Sequence, residues 1–150
     1  MYTILEEIMI YRHPGVVFRY ISDFTNDLMW RNGLVEMKQS THGFTEAGTV
    51  TKETIKLIGR KWENVAKITG FKEDDKISFK VVKGIQGVTG FRSVYEISNN
   101  CTGFIYSISI KPEGIFKFIT PLIQKNFRKR IRKDLIKLKQ ILEHPQAMAA

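Results

Sequence analysis

The sequence predicts a single α+β domain, a seven-stranded antiparallel sheet wrapped around one long C-terminal helix, with two short helices between the first and second strands. Three observations carry this reading. From Thr49 to Pro112 apolar and polar residues alternate in short blocks, the period of strands with one buried face. The blocks are separated by Thr41-His42-Gly43, Ile58-Gly59, Glu73-Asp74-Asp75, Gly84 to Gly87 and Ser98-Asn99-Asn100, turn residues in connections too short for anything but antiparallel neighbours. After about residue 113 the pattern changes to helical spacing, with Leu122, Ile123, Phe127, Ile131, Leu135, Leu138 and Leu142 recurring at steps of three and four.

The elements follow in order. A strand over residues 3–10 leads into Pro14, which opens a helix carrying Val17, Phe18 and Ile21 on one face. Asp23 and Asn26 break that helix, a short segment bearing Trp30 follows, and a second strand covers 34–41. Further strands are expected at 48–57, 60–70, 76–84, 88–98 and 102–111. The last helix runs from 121 to 143, roughly 34 Å at ~1.5 Å per residue, enough to cross a curved sheet. Thr120-Pro121 reads as an N-cap followed by proline at the first helical position, or the helix starts near Ile115 and kinks at Pro121.

Residues 1–143 make one domain and 144–150 a short tail. A chain of 150 residues buries about 70% of its unfolded surface, enough for a full core and a cavity. The 43% hydrophobic and 11% aromatic content argues against disorder. Cys101 is the single cysteine, so no internal disulfide forms, and no His, Cys and acidic residues share metal-ligand spacing. Neither a metal nor a cofactor is expected. Glu6 and Glu7 interrupt the first apolar stretch, no basic leader precedes it, and no apolar run reaches membrane-spanning length, which reads as a cytoplasmic protein.

In each strand the more apolar of the two alternating sets should face the helix. Those sets are Thr51, Glu53, Ile55 and Leu57, then Trp62, Asn64, Ala66 and Ile68, then Ile77, Phe79 and Val81. The next two strands give Phe91, Ser93, Tyr95 and Ile97, and Phe104, Tyr106, Ile108 and Ile110. Such a wall suits either a close-packed core or a small-molecule site. Two carboxylates sit among these apolar positions, Glu53 on its strand and Asp134 within the helical stripe. If both open into one cavity their pKa values rise and one can donate or accept a proton. Otherwise Asp134 pairs with Arg130 or an inward strand cation, and Glu53 lies at a solvated rim.

No catalytic motif accompanies them. His13, His42 and His144 fall at turns or the terminus, and no nucleophile elbow or metal-binding His-Glu pattern occurs. Lys83 and the three glycines of the 84–90 turn are spaced for a hairpin rather than for phosphate. Net charge is +9, of which +6 lies between Pro121 and Glu143. Lys125, Arg128, Lys129, Arg132 and Lys139 fall opposite the apolar stripe, forming either a solvated face or a strip for an anionic membrane, RNA or an acidic protein. Aromatic residues do not interleave with them, which speaks against nucleic acid.

The stretch from Ile10 to Glu36, a strand end, a Pro-opened helix, the Asp23/Asn26 break, a Trp30-bearing segment and a second strand, resembles the opening of the SRPBCC superfamily, the START-like and polyketide cyclase/dehydrase-like helix-grip domains. The likeness extends across essentially the whole chain, departing at Gly15, where many relatives carry a charged helix-start residue. It implies a cavity between helix and sheet that binds or transports an apolar or amphipathic small molecule, a lipid, isoprenoid or polyketide-like compound. The residues implied to touch ligand are Trp30, near the pocket mouth or otherwise a core anchor, and Trp62, Asn64, Ala66, Phe79, Phe91, Ser93, Tyr95, Phe104, Tyr106, Phe127 and Ile131. Asn64, Ser93, Tyr95 and Tyr106 would supply orientation. The alternatives are a cyclase or dehydratase using Glu53 or Asp134, and an interaction module on the basic helix. The protein would be a monomer or homodimer.

Overall fold

A computed structural model of the chain describes residues 1–57, 59–111, 113, 117 and 121–145. Strand β1 (Tyr2–Ile10) is followed by α1 (Pro14–Ser22), a 3-10 helix (Phe24–Met29), β2 (Leu34–Gln39), β3 (Val50–Leu57), β4 (Arg60–Lys72), β5 (Lys76–Lys83), β6 (Val88–Ser98), β7 (Cys101–Ile110) and α2 (Pro121–Glu143). The expected N-cap at Thr120, the alternative start near Ile115 and the end of the tail lie outside the described residues.

All seven strands form one antiparallel sheet in the order β1-β7-β6-β5-β4-β3-β2. Consecutive strands from β2 to β7 are therefore neighbours, while β1 and β2 are the two edges. The α1 and 3-10 unit carries the chain from one edge to the other. Its geometry is set locally: His13 Nδ1 accepts the Gly15 N–H at 3.1 Å, Pro14 opens α1, and Asp23 Oδ1 accepts the Thr25 N–H at 3.0 Å to start the 3-10 turn. Register shifts at Leu34/Glu36, Val65/Ala66, Ile68/Gly70 and Glu96/Ser98 bend the sheet into a half-barrel. Across its concave side, α2 buries Ile131, Leu135, Leu138 and Leu142 in one cluster with Ile4, Ile10, Phe104 and Tyr106.

Strand β6 departs from the expected phase. Its buried positions are Arg92 and Val94, so Phe91, Ser93, Tyr95 and Ile97 belong to the outer face, where Tyr95 and Ile97 are 43% and 48% exposed. Apolarity misled because the inward set contains an arginine whose charge is neutralised inside the protein. The outward aromatics make specific contacts with neighbours on that face. The Lys76 ammonium lies 4.1 Å from the Phe91 ring centroid, and Tyr95 reaches across Gly103 to bond Glu7. Gly90 permits the inward register, since a Cβ there would stand 2.5 Å from both the Phe79 ring and the Ser107 carbonyl.

Candidate functional site

Between α2 and the sheet lies a cavity of about 140 Å³. Its apolar wall is built by Ile55 on β3, Ala66 on β4, Phe79 and Val81 on β5, Tyr106, Ile108 and Ile110 on β7, and Phe127 and Ile131 on α2. Its polar end gathers Arg31, Asn32, Glu53, Asn64, Arg92, Arg130 and Asp134.

Of the residues expected at such a site, Asn64, Ala66, Phe79, Tyr106, Phe127, Ile131, Glu53 and Asp134 line the cavity. Trp30 and Phe104 are packed behind it, both against Tyr106, with ring centroids 5.9 and 6.4 Å from it. Trp30 is thus a core anchor rather than a residue of the pocket mouth. Trp62 joins a second cluster with Ile85 and Ile110, donates Nε1–H to the Leu57 carbonyl at 3.2 Å and lies under Arg60. Phe91, Ser93 and Tyr95 face away, for the reason given above.

A chain of charges runs from the core to this polar end. Arg92, 1% exposed, pairs with the wholly buried Asp27, donates Nη1–H to the Ile21 carbonyl at 2.9 Å and stacks 3.8 Å from the Phe24 ring centroid. Arg31 Nη1 bridges Asp27 Oδ2 at 3.2 Å and Glu53 Oε2 at 2.8 Å. Glu53 Oε1 accepts from Asn64 at 3.2 Å, and Asn64 Oδ1 accepts the Ile85 N–H at 2.8 Å, tying β3 and β4 to the turn before β6. Sequence reasoning missed Asp27, Arg31 and Arg92. Asp27 and Arg92 both lie in segments of mixed polarity, so the sequence carried no signal that they are buried partners.

Asp134 is 8% exposed, and its Oδ1 accepts the Asn32 N–H at 3.0 Å. It does not take Arg130 as its direct partner. That guanidinium instead donates to the carbonyls of Asn32 and Lys56, an approach that Gly33 makes possible: at φ +84° a Cβ would lie 2.2 Å from Arg130 Nη2.

The two carboxylates of the cavity are driven apart. Burial pushes Glu53 up, but Arg31 beside it and the Asn64 hydrogen bond outweigh burial and bring it below its usual value, so it stays ionised. It is not the solvated rim group the sequence allowed. Burial pushes Asp134 up to about 6, against the opposing pull of the Asn32 N–H, Arg31 and Arg130. The site therefore has one permanent ion pair and one proton exchangeable near neutrality. Among the described residues no Cys, Ser, Lys or His lines the cavity, and no cluster of His, Cys, Asp or Glu could hold a metal.

The shift at Asp134 has a definite sign. Between pH ~4, where the unfolded group ionises, and pH ~6, the native state retains a proton the unfolded chain has lost, so stability falls as pH rises through this window. With screening by water at the cavity mouth the loss should be about 1–2 kcal/mol. Asp134→Asn keeps an acceptor for Asn32 and should recover that amount at pH 8 while changing nothing at pH 4. Urea unfolding at both pH values checks this, and a loss at pH 8 larger than at pH 4 would show that ionised Asp134 stabilises the fold.

On α2, Arg128 and Arg132 are both engaged by Glu6 of β1, at 2.7 and 3.0 Å, and Lys139 by Glu143 at 2.7 Å. The expected strip is thus partly used within the domain. Exposed cations without an ion-pair partner among the described residues are Lys125, Lys129, Lys133 and Lys137, one per turn, flanked by exposed Leu122 and Ile136. No helix among the described residues is long and apolar enough to cross a membrane.

A family model described as polyketide cyclase/dehydrase and lipid transport matches residues 1–143. No curated protein matches the chain. Among solved structures, a Thermus thermophilus protein is 13% identical with TM-score 0.78, covering 99% of this chain and 100% of that one. A START superfamily protein of Mycobacterium smegmatis is 11% identical with TM-score 0.75 over 95% and 97%. A Streptomyces aromatase/cyclase is 9% identical with TM-score 0.71 over 95% and 94%. At these identities the likeness shows a shared fold.

Proposed function

The chain belongs to the polyketide cyclase/dehydrase and lipid transport family, and from that premise we propose that it reversibly binds an apolar or amphipathic small molecule in the cavity between α2 and the sheet. The observation that carries this reading is the cavity itself, apolar along its length and polar at one end. Its volume limits the occupant. At about 140 Å³ it matches the engineered apolar cavity of ~150 Å³ that accepts benzene, so one ring or a short chain segment is enclosed. A lipid, isoprenoid or polyketide would leave the rest of its length at the polar mouth.

Binding over catalysis is favoured by the ion pair with Arg31 that engages Glu53. Burying about 150 Å² of ring surface at ~25 cal/mol per Å² contributes about 4 kcal/mol, a Kd of the order of 1 mM for a bare ring. Calorimetric titration with benzyl alcohol should therefore saturate at millimolar concentrations. Titration with no saturable heat would remove the reading. A cyclase or dehydratase would instead turn over a polyketide substrate and lose that turnover in a folded Asp134→Asn protein.

A second role is favoured by the four exposed lysines of α2 that have no ion-pair partner among the described residues. They form a face for anionic headgroups, from which an amphipathic ligand could be collected. Replacing all four by Gln should weaken binding to phosphatidylserine vesicles at least tenfold at low salt, since each lysine contributes about 1 kcal/mol, and should leave stability within about 1 kcal/mol. Wild-type protein that ignores such vesicles would assign these lysines to solubility alone.

A further inference from the structure

The polar end of the cavity is richer in open donors than in open acceptors. Arg31 uses Nη1 for both Asp27 and Glu53, while its Nη2 and Nε donate to nothing among the described residues. The Tyr106 hydroxyl and the Asn32 side-chain amide, both on the cavity wall, also make no hydrogen bond among them. Asp134 lines the same cavity, with Oδ1 taken by the Asn32 N–H and Oδ2 without a hydrogen bond among the described residues. Charge points the same way. Arg31, Arg92 and Arg130 balance Asp27, Glu53 and Asp134 only while Asp134 is ionised. Protonating it leaves one positive charge beside Arg31 and Arg130, the amount a single anion would compensate.

We propose that this end receives the carboxylate of a small apolar acid, bound against Arg31 and Tyr106 with one proton held between the ligand and Asp134. The inference rests on the binding function proposed above and specifies the ligand's head. Two carboxylates within hydrogen-bond reach of each other do not both stay ionised. Arg31, raised well above its ordinary value mainly by Glu53, Tyr106 and Asp27 acting against its burial, remains charged and favours the ligand as the ionised partner. Asp134 then keeps the proton. The charged groups around it are Arg31 on the loop after the 3-10 helix, Glu53 on β3, and Arg130 and Lys137 on α2 itself. Burial has already moved Asp134 to about 6, so complex formation above that pH must draw a proton from solution.

The binding reaction is ligand carboxylate plus one proton plus protein, with no covalent step. The test compares phenylacetate, benzyl alcohol and benzylamine by titration calorimetry at pH 6 and pH 8, in two buffers of different ionisation enthalpy. Phenylacetate should bind about fiftyfold more weakly at pH 8 than at pH 6, taking up close to one proton per molecule at the higher pH, while benzyl alcohol stays constant. In Asp134→Asn the acid should bind independently of pH. Should that variant fail to fold, the proton count in the wild-type protein decides alone. Phenylacetate binding without proton uptake, or benzylamine binding that tightens with pH, would overturn the proposal. If benzyl alcohol binds and the acid does not, only this inference falls; if none of the three binds, the cavity function falls with it.

Discussion

Asp27→Ala is expected to destabilise the domain by about 3–5 kcal/mol, because it strands the Arg92 guanidinium in the core without its counter-ion. Desolvating a cation is compensated here by one carboxylate, one carbonyl and the faces of Phe24, Trp30 and Tyr106. Only the carboxylate neutralises the charge. The pair as a whole is a different matter, since replacing both members by apolar residues of similar volume is often neutral. Asp27→Leu combined with Arg92→Met should therefore recover most of the loss caused by either alone. Urea unfolding of the double-mutant cycle checks both statements. If Asp27→Ala loses less than about 1 kcal/mol, Arg92 is hydrated in the native state and the buried network is misread.

Ala66→Phe is expected to abolish ring binding, at least a tenfold loss of affinity for benzyl alcohol, while the protein remains folded. Ala66 stands on β4 directly on the cavity wall, opposite Thr51 on β3 and Val81 on β5. A benzyl group added there would occupy the volume assigned to the ligand. Filling an existing cavity need not destabilise; stability should shift by no more than about 1–3 kcal/mol in either direction, the range for imperfect repacking. Calorimetric titration of the variant is the check. Undiminished binding in a folded Ala66→Phe protein would place the probe elsewhere.

Element order was legible because strand and helix announce themselves by period, and because each tight turn needs particular residues. Pro14 opens α1 and Asp23 ends it where the sequence places them. Four inward sets were also readable, since in β3, β4, β5 and β7 the buried face is the more apolar one. In β6 that rule inverted, as the inward face carries Arg92 and the outward face Phe91 and Tyr95. Hydrophobic pattern cannot register a buried charge whose partner, Asp27, is 65 residues away. The same limit hid the role of Arg31, which joins Asp27 to Glu53 only once the 3-10 helix is set against β2, the neighbour of β3. Asp134 could be singled out from the stripe alone, but its partner, a backbone N–H of Asn32, has no sequence signature.

The central claim is that a ligand's apolar part enters between α2 and the sheet, and methyl-resolved NMR tests it most directly. In protein labelled at Ala and Ile methyls, benzyl alcohol should shift Ala66, Ile55, Ile108 and Ile131 along one saturable curve, with transferred magnetisation from the ring to those methyls. Ile97 on the outer face and Ile136 on the solvent side of α2, 48% and 50% exposed, should not move. Saturable shifts confined to Ile97 or Ile136, with the cavity methyls unchanged, would contradict the account.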